Sequence, residues 1–170
     1  MSELGKDNGI RLIVFDLDDT LFSWKLNDLF SEAELVLRRL KQAGCILGLA
    51  SYNAQAPDIL RACGIFELFD FVEFENLART ARIVKNAKVY AADYDWKWCS
   101  QVVNDKTLML HSILTKSQVP PKHALFVDDQ VRFLDAAREL GMHTIQVGPD
   151  GVSFQLFASI PALPRQTGEI

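Results

Sequence analysis

Apolar and polar positions along this chain fall into two kinds of run. Leu12-Ile13-Val14-Phe15, Cys45-Ile46-Leu47-Gly48-Leu49-Ala50 and Ala124-Leu125-Phe126-Val127 are short and apolar without alternation. That is the pattern of strands covered on both faces in a parallel sheet. Between them lie segments of helical length. Ser31-Glu32-Ala33-Glu34 reads as a capping box opening a helix with Leu35, Val36, Leu37 and Leu40 on its apolar side and Gly44 as its stop. Further helices are predicted over 55–63, closed by Gly64, over 106–117, ahead of Pro120-Pro121, and over 130–140, closed by Gly141. Strands over 11–16, 69–74 and 143–147 complete the pattern.

Strands and helices alternating at these lengths predict an α/β fold, a Rossmann-like three-layer α/β/α sandwich with a mostly parallel central sheet. The 170 residues suit one domain with its own core. We expect that domain over residues 1–160 and a loose tail over 161–170. The stretch 76–105 is the least determined. There Ile83-Val84 and Val89-Tyr90 flank Lys85-Asn86-Ala87-Lys88 as a hairpin or a broken helix, and the interval leaves room for a small insert.

Composition narrows the function classes. Hydrophobic residues make up 49% and charged ones 24%, the balance of a soluble globular protein. Eighteen basic against 22 acidic side chains give a net charge of -4, which argues against a chain whose main work is gripping nucleic acid. Cys45, Cys63 and Cys99 lack the spacing of a zinc site or disulfide framework and fit a reducing compartment. The polar stretch Met1 to Gly9 has no signal-peptide character, and no run approaches the roughly 18 apolar residues of a membrane span. The expectation is a soluble, cytoplasmic protein with no membrane partner.

The candidate chemistry sits where strands end. Asp16 and Asp18 follow the first strand, Ser51 the second, and Asp128-Asp129 the strand at 124–127. In open α/β sheets ligands bind beyond the carboxyl ends of the strands. Two carboxylates about 4 Å apart repel by roughly 4 kcal/mol at an effective dielectric near 20, so such a cluster calls for a cation, and a metal ion is the obvious one. Taken singly, these residues have structural explanations: a turn at Asp19-Thr20, a helix cap at Ser51, a helix-dipole contact at Asp128-Asp129. Their joint occurrence at three strand ends is harder to explain without chemistry.

In that order, an aspartate pair, a strand-end serine, a lysine at Lys106 and a terminal acidic pair, the chain resembles the haloacid dehalogenase-like hydrolase superfamily over residues 11–148. The segments Val14–Leu21 and Phe126–Asp129 are similar to the small capless magnesium-dependent phosphatase branch. The resemblance implies Asp16 as a nucleophile forming an aspartyl-phosphate and Asp18 as the acid and base of the two half-reactions. It implies Mg²⁺ held by Asp16, Asp128 and the backbone carbonyl of Asp18, with Asp129 acting through water. Ser51 and Lys106 would hold phosphoryl oxygens, with Thr20 and backbone N–H groups near Asn53 completing the cradle. Dehalogenases of the superfamily lack an aspartate at the position of Asp18, so phosphoryl chemistry is favoured. The substrate class is then a phosphate monoester, either a phosphorylated small molecule such as a phosphosugar or a phosphotyrosyl or other phosphoprotein group. A non-catalytic binding module and a phosphotransferase with an acceptor other than water are the alternatives. Oligomeric state is open.

Other features invite less. His111, His123 and His143 are scattered without ligand spacing. Arg79, Arg82, Lys85 and Lys88 recur every third residue, a series that spirals around a helix rather than striping it. Tyr90, Tyr94, Trp96 and Trp98 suit a substrate-facing flap or core packing, and Asp93 and Asp95 suit a solvated surface. One helix mostly consumes the interval from Asp16 to Ser51, so no substantial cap fits there. The interval from Ser51 to Lys106 is too short for a large one.

Overall fold

A computed structural model describes residues 9–75 and 106–158. Its centre is a five-stranded parallel sheet in the order β5-β4-β1-β6-β7. These strands are β1 (Leu12–Phe15), β4 (Ile46–Ser51), β5 (Phe71–Phe74), β6 (Ala124–Asp128) and β7 (His143–Gln146). The apolar runs do not alternate because both faces of the sheet are covered. Ile13, Phe15, Leu47, Leu49, Leu125 and Val127 pack on one side with α1 (Ala33–Gln42), α2 (Ala56–Ala62) and α5 (Phe154–Ala158). Leu12, Val14, Ala50, Ala124 and Phe126 face the other side, against α3 (Thr107–Ser117) and α4 (Val131–Glu139). The layers are therefore α/β/α. Gly48 lets α3 come close to the sheet, since a Cβ there would lie 3.1 Å from Ile113 Cγ2.

β1 lies between β4 and β6, with Phe15 paired to Leu49 on one side and Val127 on the other. The chain runs outward from β1 through β4 to β5, then returns to β6 on the opposite side of β1. This reversal opens a crevice at the carboxyl ends of β1 and β6, the place where such sheets bind ligands. Asp16 and Asp128 stand at its two walls.

Several local expectations are corrected. The capping box does not form: Glu32 is the N-cap of α1 with no side-chain cap bond. Its carboxylate instead accepts the N–H of Phe154, 2.8 Å away. Glu34 pairs with Arg38, and Leu35, assigned to the apolar side, is 49% exposed. β5 starts at Phe71 rather than 69, because Phe69 still closes a 3-10 turn over Phe66–Leu68, its N–H donating to Phe66 O. A small antiparallel hairpin, β2 (Phe22–Ser23) and β3 (Asp28–Leu29), occupies the connection after β1. The predicted hairpin or broken helix within 76–105 and the tail at 161–170 lie outside the described residues, as do the basic series and the aromatic cluster. Among the described residues no helix is long and apolar enough to cross a membrane.

One glycine is required by packing. Gly151 has φ +71, and a Cβ there would sit 2.1 Å from Cγ of Phe30, a ring buried under the loop. Gly151→Ala is expected to cost about 2–4 kcal/mol, adding left-handed strain to overpacking. Urea unfolding checks this, and an unchanged midpoint contradicts the packing described.

Candidate active site

The site assembles at the crevice. Asp16 is the first residue past β1, and its backbone N–H donates to Val127 O at 3.0 Å, tying the two walls together. Asp128, the last residue of β6, is fully buried. Lys106 bridges them: its Nζ lies 2.6 Å from Asp16 Oδ1 and 2.8 Å from Asp128 Oδ2. This ammonium is itself 2% exposed and packs over the Phe133 ring, 4.4 Å from the centroid.

Lys106 reaches this position from an unusual backbone. It precedes α3 at φ 66, in the left-handed region, and its N–H donates to the Tyr52 hydroxyl at 2.9 Å. Such a conformation costs a non-glycine residue roughly 1–2 kcal/mol. Asp19, at φ 55 in the tight turn after Asp18, is a second left-handed residue of the site. Strain held this way gathers at functional sites.

One lysine cannot balance the acidic charge. Oxygens of Asp16, Asp128 and Asp129 lie within 4.8 Å of one another. Burial pushes the Asp16 carboxyl up to about 7, with the Asp128 charge adding and Lys106 opposing. Burial, followed by the charge of Asp128, likewise raises Asp129 to about 6. Asp129 Oδ1 is buried with no hydrogen-bond partner, as is Thr20 Oγ1. Orphaned buried oxygens of this kind call for a ligand. Three oxygen donors, a charge deficit of two and an unfilled acceptor fit a hard divalent cation such as Mg²⁺.

The remaining candidates lie around this cluster. Ser51 ends β4, fully buried, and its Oγ accepts the backbone N–H of Asn53 at 3.1 Å. That N–H, expected to join a phosphate cradle, is thus already engaged. The Asn53 side chain donates from Nδ2 to Asp18 Oδ1 at 3.0 Å and accepts the Gln55 N–H through Oδ1. Asp18 is half-buried and receives a second donor on the same oxygen, the Trp24 indole Nε1 at 2.6 Å. Trp24 and Tyr52 escaped the sequence reading. Tyr52 adjoins Ser51, but no spacing rule links Trp24 to Asp18 before the hairpin folds. The three histidines stay out of the cluster: His123 Nδ1 contacts Gly9 O, His143 Nε2 contacts Lys122 O, and His111 is an exposed position on α3.

No family model matches the chain, and no curated protein matches its sequence. Solved structures do match. A haloacid dehalogenase-like family hydrolase from Streptococcus pneumoniae aligns at TM-score 0.58 and 14% identity, over 88% of this chain and 90% of that one. CbbY from Rhodobacter sphaeroides, in complex with phosphate, aligns at TM-score 0.56 and 14% identity, over 82% and 88%. A dehalogenase aligns at TM-score 0.57 and 15% identity, over 89% and 91%. The fold is therefore the one these three proteins share. Because a dehalogenase shares it too, the fold leaves the chemistry to the site residues.

Proposed function

We propose that the protein is a Mg²⁺-dependent phosphatase that hydrolyses phosphate monoesters through an aspartyl-phosphate on Asp16. The observation that carries this reading is the cluster of buried Asp16 and Asp128 with half-buried Asp129, its first two members bridged by one lysine and the whole short of positive charge. The shared fold and the phosphate bound by CbbY support it.

Asp16, Asp128 and Asp129 would hold the cation, together with the Asp18 carbonyl. When bound, it supplies the positive charge that lets a carboxylate approach a phosphate dianion. Asp16 then attacks phosphorus, forming the Asp16 O–P bond as the P–O bond to the leaving group breaks. Asp18 delivers its proton to the departing oxygen, so the first product leaves as a neutral alcohol. In the second half a water attacks the same phosphorus and gives its proton to Asp18. The Asp16 O–P bond breaks, releasing inorganic phosphate and restoring both residues. Lys106 holds Asp16 beside Asp128 and fixes the direction of attack. The Ser51 hydroxyl proton and the unpartnered Thr20 Oγ1 remain for phosphoryl oxygens.

A panel of phosphate esters tests this reading. Free phosphate should appear in equal amount to the alcohol, with no transfer to added alcohols. Transfer would favour a phosphotransferase, and no turnover on any ester would favour a binding module. Thr20→Val offers a finer check. Because its hydroxyl has no partner, the variant should keep its stability within about 1 kcal/mol. Its kcat/KM should nevertheless drop about 100- to 1,000-fold, the usual cost of one lost transition-state donor. A stability loss matching the activity loss contradicts the assignment.

A further inference from the structure

Resting on the phosphatase reading, we infer that Trp24 is a positioning residue that fixes the Asp18 carboxyl so that Oδ2 is the oxygen presented to the leaving group. The Asp18 carboxylate is not evenly solvated. The Trp24 indole Nε1 at 2.6 Å and the Asn53 amide Nδ2 at 3.0 Å both donate to Oδ1. Among the described residues nothing donates to Oδ2. Two N–H donors fill the lone pairs of Oδ1, so Oδ2 is the oxygen left free to face the reacting groups. The two donors come from separate elements, one from the β2–β3 hairpin and one from the loop after β4, and together they hold Oδ1 in place.

The hairpin is built to hold the indole there. Phe22 is buried beneath it and meets the Trp24 ring edge-on, with centroids 5.2 Å apart at 74°. Asn27 takes the left-handed turn position at φ 51, and Ser23 Oγ accepts the Leu26 N–H. The turn is anchored to the catalytic loop, since Asp19 N–H donates to Phe22 O at 2.8 Å. Trp24 is nevertheless 49% exposed. A large aromatic ring left half in solvent, with its one polar atom on the acid, is poorly explained by core packing.

Leaving-group dependence separates positioning from mere support. Departure of a poor leaving group, such as an alkoxide, needs the proton from Asp18, whereas p-nitrophenolate leaves with little help. The value of kcat/KM reports the first half-reaction, so it isolates this step. For Trp24→Phe, which keeps a ring and removes the N–H, the ratio of kcat/KM for an alkyl phosphate to that for p-nitrophenyl phosphate should fall about tenfold, part of the range general acids provide. Trp24→His, which can restore a ring N–H, should recover part of the ratio. An equal loss on both substrates overturns the inference.

A second readout does not depend on turnover. The indole N–H resonance of Trp24, assigned by its absence in Trp24→Phe, should move upfield in Asp18→Ala. An unmoved signal overturns the contact. A wild-type protein inactive on every ester, but with the indole signal responding, would overturn the catalytic role and the phosphatase reading while leaving the contact standing.

Discussion

Asp16→Asn is expected to lower kcat by on the order of 10⁴-fold or more on every phosphate ester, because it removes the atom that forms the covalent bond. Loss of activity alone would not distinguish a nucleophile from a structural residue, but stability does. The wild-type site without a cation holds three clustered acidic side chains and one ammonium, which pairs with two of them. Burial already pushes Asp16 up to about 7, so its ionised form is the uncomfortable one. Replacing it with a neutral amide of nearly the same shape relieves that repulsion while Asp128 keeps its partner Lys106. The metal-free variant should therefore unfold at a temperature no lower than metal-free wild type. A variant both inactive and markedly less stable would assign Asp16 to structure; one that retains turnover would remove the proposed nucleophile.

Chelation is expected to abolish turnover, and the companion effect on stability has a sign fixed by electrostatics. For a carboxyl whose folded value is raised, the folded protein holds more protons than the unfolded chain between the two values. Stability contributed by Asp16 is then lost as pH rises from about 4 to 7. For Asp129 the same loss runs from about 4 to 6. A divalent cation binds only the ionised cluster and stabilises the folded state by mass action. Millimolar Mg²⁺ should thus raise the melting temperature clearly at pH 8 and hardly at pH 5. Calorimetry or thermal scanning with and without the ion reads this directly. An equal shift at both pH values, or none at either, would place the cation elsewhere or nowhere.

How much was legible in the sequence follows from what each feature depends on. The sheet was readable because a strand buried on both faces must be apolar at every position, as in Leu12–Phe15 and Ala124–Val127. The strand-end acids were readable because burial has no use for them. Lys106 was readable from its place opening a helix, although its left-handed backbone was not. The β2–β3 hairpin was not legible, since its strands have two residues each and leave no periodicity. The capping box misled because Glu32 finds a partner far along the chain, in Phe154. The same holds for Trp24: its bond to Asp18 exists only once the hairpin closes back onto the loop after β1. Local pattern places groups at the edge of a sheet, and tertiary contact decides which of their atoms stay free.

The most direct measurement is to capture the covalent intermediate. Wild-type protein mixed with Mg²⁺ and a phosphate ester, quenched within milliseconds and reduced with borohydride, should yield homoserine at position 16 in peptide mass spectra, because only an acyl phosphate is reduced. Turnover with aspartate unchanged at 16, or with the modification on another side chain, would contradict an Asp16 nucleophile.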